Sequence, residues 1–90
     1  MNDERMLDEL LGLLEGAGVE IRRDTLGGGG GGICTIKGQR IFFVDTQSTA
    51  MEVAQMAAEA IGGIVDIESV YLRPEVREFI ESRGEAFRRH

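Results

Sequence analysis

Residues 33–45 read ICTIKGQRIFFVD and residues 46–63 read TQSTAMEVAQMAAEAIGG. The first part predicts a tight hairpin and the second one long helix rich in Ala and Met. If Gly38 and Gln39 form a two-residue type II′ turn, Ile36 pairs with Ile41 and Cys34 with Phe43 on one face. Ile33, Thr35 and Lys37 then share the other face with Val44, Phe42 and Arg40. Thr49 and Glu52 form a capping box at the helix start. Plotted at roughly 100° per residue, Glu52, Gln55 and Glu59 lie on one narrow polar face, and the rest form an apolar arc of roughly 220°. A helix resting on one sheet needs an apolar arc of only ~100° or somewhat more. The excess predicts burial on more than one side and makes Met51, Met56 and Ala60 candidates for contact with a second chain. Gly62 and Gly63 are expected to stop the helix.

Outward from this stretch, the glycine run Gly27–Gly32 leads into the hairpin. With no side chain to pack and high backbone entropy, it reads as a mobile connector. Before it, Leu7, Leu10, Leu11 and Leu14 recur at helical spacing, widened by Met6 and Leu13. Asp3 is the expected N-cap, and Gly16 and Gly18 the expected stop. Val19 and Ile21 alternate with Glu20 and Arg22 in a short edge strand. After the central helix, residues 64–72 are apolar with Asp66 and Glu68 interspersed, and their periodicity does not separate a strand from a turn of helix. Pro74 then opens a last helix whose apolar face is Val76, Phe79 and Ile80, with Phe87 a further candidate. Gly84 either ends that helix or interrupts it. These elements predict one α+β domain over residues 1–90: an N-terminal helix, a small antiparallel sheet of about three strands around a central hairpin, an Ala-rich central helix and a C-terminal helix.

Ninety residues bound the core to a modest size, since a chain this short buries only about two-thirds of the surface it exposes when unfolded. With no Trp, one Tyr and four Phe, aliphatic and Met side chains must supply most of the burial. The net charge of −6 divides as −4 over residues 1–32, +1 over 33–45 and −3 over 46–90. That balance is poorly suited to a phosphate backbone, so no nucleic-acid partner is expected. Arg83, Arg88, Arg89 and His90 form a basic end that reads as a solvated tail. A single cysteine, Cys34, fits a reducing compartment. The start MNDERML is acidic where a secretory signal is basic, and no apolar run approaches the ~18 residues a membrane helix needs. A cytoplasmic protein without membrane contact is the expectation.

The residues that could carry chemistry are few. A phosphate loop needs Gly-Lys-Ser/Thr and a following helix whose N-terminus faces the phosphates. Here the run leads into Ile33-Cys34-Thr35, a strand. The alternative is a glycine hairpin cradling a nucleotide or small ligand, with Gly27, Gly29 and Gly32 as contacts. Cys34 has no His to activate it and is expected to be a buried, inert thiol opposite Phe43. Glu52 and Glu59 lie two turns apart on a solvated face, so no metal site is expected and no cofactor is implied. An enzyme would have to use Cys34, Asp45 or Glu59 without a nearby partner group.

The order of helix, strand (GVEIRR), glycine loop, hairpin (ICTIKGQRIFFVD) and capped helix (TQSTAMEVAQMAAEAIGG) resembles the N-terminal core of bacterial HExxH zinc peptidases of the ImmA/IrrE type. The resemblance covers about residues 10–63. In that family the helix carries Ala-His-Glu-Leu-Gly-His; here the matching stretch is Ala57-Ala58-Glu59-Ala60-Ile61-Gly62. Glu59 matches the catalytic glutamate, while Ala58 and Gly62 stand in place of both zinc histidines. The resemblance therefore implies the scaffold without the metal. The functional expectation is a small non-catalytic interaction domain that self-associates, with the glycine-run ligand module as the alternative.

Overall fold

Strand β3 (Gln39–Asp45) takes the centre of the sheet because it is apolar on both faces. Phe42 and Val44 point into the core, and Ile41, on the other side of the pleat, is buried as well. Strands β1 (Glu20–Asp24) and β2 (Gly31–Ile36) flank it in the order β1-β3-β2. The computed structural model describes residues 1–27 and 31–88, with side chains through residue 83. Its element order is helix, three strands, two helices, an α+β arrangement as the sequence predicts.

The sheet is mixed, which corrects the expectation of an antiparallel one. The β2–β3 hairpin is antiparallel, but β1 runs parallel to β3, with Ile21 beside Phe42 and Arg23 beside Val44. Parallel neighbours need a crossover of a dozen or more residues. Here that crossover contains β2 itself: the chain leaves β1 at Asp24 and re-enters the sheet at Gly31, on the far side of β3.

The helices cover the Phe42 face. Helix α1 (Asp3–Gly16) is capped by Asn2, not Asp3, whose Oδ1 accepts from Arg5 N at 2.8 Å. Asp3 is instead the first helical residue, where its charge still suits the positive end of the helix dipole. Met6, Leu10, Leu11 and Leu14 are buried along one stripe. The helix ends at Gly16, and Gly18 supplies the left-handed turn beyond it (φ +86°).

Helix α2 (Ala50–Ile64) begins with the expected capping box, with Thr49 Oγ1 accepting from Glu52 N at 3.2 Å and Glu52 Oε1 from Thr49 N at 3.2 Å. It does not stop at Gly62-Gly63 but continues to Ile64, whose side chain packs against the core and so extends the apolar contact. The helix packs mainly on α1 and then α3 (Pro74–Arg88), with less contact to the sheet. Residues 65–73 form neither strand nor helix. Asp66 folds them into a turn by accepting from Glu68 N at 3.2 Å and Ser69 Oγ at 2.7 Å. Leu72, Val76 and Ile80 then close the core over α1 and α2. Gly84 does not end α3.

Candidate functional site

The two outer strands of the sheet differ in chemistry. β1 reads EIRRD, with a charge at four of five positions and an Arg22–Glu20 ion pair on its surface. β2 reads GGICTI, with no charge at all, and every residue but Gly32 is exposed. Ile33 and Ile36 stand 40% and 46% accessible. An edge strand offers a row of unpaired N–H and C=O groups, and natural sheets usually guard such rows with charge, Pro or a bulge. β1 is guarded in this way and β2 is not.

The hairpin register fixes which groups β2 presents. The turn residues are Lys37 and Gly38, both with positive φ (+52° and +81°), the signature of a type I′ turn. This corrects the expected Gly38-Gln39 turn. Ile36 faces Gln39, Cys34 faces Ile41 and Ile33 faces Phe42. The residues flanking a two-residue turn form a hydrogen-bonded pair, and such pairs alternate with non-bonded ones. Cys34 and Ile36 therefore direct their amides at β3, while Ile33 and Thr35 direct theirs outward; Gly31 and Gly32, both with positive φ, fall outside this regular alternation. Cys34 is exposed rather than buried, because β2 is an edge strand, and Ile41 rather than Phe43 lies opposite it.

The glycine run meets the sheet at the end of β3. Asp45 is 1% exposed there. Its Oδ1 accepts from Gln47 N at 2.9 Å and from Leu26 N at 3.2 Å, tying the start of the run to the end of the central strand. A buried carboxylate that occupies the Leu26 amide is a poor neighbour for a phosphate. Of the proposed cradle residues, Gly27 is exposed with a left-handed φ of +74°. Gly29 lies outside the described residues. Gly31 and Gly32 are strand residues, not connector. A Cβ on Gly32 would sit 3.2 Å from Met56 Cε, so its bareness admits α2 to the sheet edge.

The remaining candidates stay apart. Glu59 accepts a hydrogen bond from Arg83 Nη2 at 2.7 Å, an ion pair between α2 and α3. Ala58 is buried in the core, whereas Gly62 is exposed with nothing within 4 Å of its missing Cβ. Among the described residues no group of three His, Cys, Asp or Glu side chains could hold a metal ion. No described helix is long and apolar enough to cross a membrane.

The wide apolar arc of α2 is taken up within the chain. Ala60 is buried, Met56 packs against the core, and Met51 is half-buried. The surface that sequence reasoning missed is the β2 edge. Its signal was present in the absence of charge from Gly27 to Ile36, but that signal has meaning only once β2 is known to be an edge. A second feature, a groove of about 210 Å³ between α1 and the start of α3, is lined by Glu9, Leu13, Tyr71, Leu72, Arg73 and Val76. Glu9 and Arg73 pair across it at 3.3 Å, so its charges are mutually satisfied. No family model matches this chain, and no curated protein or solved structure matches it either.

Proposed function

We propose that this chain is a small, non-catalytic interaction domain that self-associates. The observation that carries the reading is the β2 edge: six residues without a charge, five of them exposed, on an otherwise acidic molecule. A second copy is a natural occupant, because it brings the same unguarded edge. The single cysteine supports a reducing, cytoplasmic setting. The peptidase-like layout fits the same reading as a scaffold whose Glu59 has been turned to an ion pair with Arg83.

Light scattering coupled to gel filtration tests this. More than one chain mass is expected at micromolar concentration, with dissociation on dilution. A strict monomer from micromolar to millimolar would sink the proposal. Thermal melts with nucleotides or phosphate run alongside: an unchanged melting temperature is expected, and a clear rise would favour the glycine-run ligand module instead.

A further inference from the structure

We infer that two copies join through β2 in an antiparallel, two-fold pairing centred on Cys34, making one continuous six-stranded sheet. The inference rests on the self-association proposed above and specifies its geometry. The outward amides are those of Ile33 and Thr35, so an intermolecular ladder must set these residues against each other. A two-fold axis between antiparallel copies makes residue i face residue j while j faces i. Any pairing that matches an outward residue with an inward one forms no ladder. Only registers in which odd-numbered residues meet odd-numbered ones survive.

Among these registers, only the one centred on Cys34 sets both outward residues, Ile33 and Thr35, against each other, while the neighbouring ones set one of them against Gly31 or Lys37, both with positive φ. Ile33 lies opposite Thr35 of the second copy, and Cys34 opposite its own symmetry mate. Ile36 falls opposite Gly32 of the second copy. Both exposed isoleucines of the strand are covered. Charge favours the same meeting place. Each copy carries −6, and β2 is the one strand of the sheet where no like charges are forced together.

The register has a chemical consequence. The Cys34 pair would be a non-hydrogen-bonded one, with Cα atoms about 4.5 Å apart. Disulfides span Cα separations of roughly 4.4–6.8 Å. The two thiols are thus within reach of one bond once an oxidant such as diamide removes two electrons and two protons.

The experiment treats the full chain with diamide and follows cross-linking on non-reducing gels, beside light scattering of the untreated protein. Cys34 is expected to cross-link at least ten-fold faster than a control thiol placed on the exposed turn (Glu68→Cys in a Cys34→Ser background). Thr35→Pro removes an outward amide while sparing the bonds to β3, and Ile33→Lys charges the edge. Each is expected to slow Cys34 cross-linking and raise the dimer dissociation constant at least ten-fold, with circular dichroism unchanged. If Thr35→Pro perturbs the fold, Ile33→Lys carries the test alone. A dimer that survives the edge variants, or whose Cys34 cross-links no faster than the control, overturns this pairing and leaves self-association standing. A monomer under all conditions overturns both.

Discussion

Gly31 stands where β2 re-enters the sheet, and two demands meet there. Its φ is +80°, and a Cβ built on it would collide with the carbonyl oxygen of Phe43 on the central strand. Gly27 shares the left-handed conformation (φ +74°) but has nothing within 4 Å of a Cβ. The pair separates backbone strain from close approach. Gly27→Ala is expected to cost about 1–2 kcal/mol, the ordinary penalty of left-handed geometry. Gly31→Ala adds a steric clash inside a hydrogen-bonded sheet and is expected to cost about 3 kcal/mol or more. Urea melts of the two variants measure the difference. Equal losses would mean that Phe43 does not approach Gly31 as described. Shortening the run elsewhere is a different matter, since loop-closure entropy changes slowly with length.

At the scale of elements, α1 carries a glycine with no visible purpose. Gly12 lies inside the helix, exposed, with open space at its Cβ position. Gly12→Ala is expected to stabilise the chain by about 0.5–1 kcal/mol through helix propensity alone. That gain corresponds to a rise in melting temperature of about 2–8 °C for a domain of this size. A loss instead would point to a contact made at this face. The three helices were legible because their signals are local: Leu spacing in α1, Thr49 and Glu52 in α2, Pro74 in α3. The sheet was legible only in part. The expected and observed hairpin registers differ by two in the sum of paired residues, so every side chain keeps its face. A hydrophobic pattern of period two cannot tell such registers apart. What decides between them is backbone contact. The observed register puts Gly31 and Gly32 against Val44 and Phe43, where the expected one puts Ile33 and Cys34. The cost is a left-handed Lys37, and the chain accepts it. The parallel pairing of β1 was invisible for a similar reason, because alternation records which face is buried and not which way the strand runs. The exposure of Cys34 and the β2 edge followed from that topology and could not be read before it.

For the whole molecule, charge decides how association should respond to salt. Two copies at −6 repel each other, and the Debye length falls from roughly 30 Å at 0.01 M to about 8 Å at 0.15 M. If copies met through ion pairs, such as those of Arg22 with Glu20 or Arg73 with Glu9 re-formed between chains, salt would weaken them. Pairing through β2 involves no charge on the strand itself, so the dominant electrostatic term is repulsion between the acidic bodies, which salt screens. The dimer dissociation constant is therefore expected to fall by roughly several-fold between about 0.02 and 0.2 M sodium chloride as that repulsion is screened. Sedimentation equilibrium across that range reads it directly. A dissociation constant that rises with salt in the unmodified chain would assign the contact to charged surfaces and remove β2 from consideration.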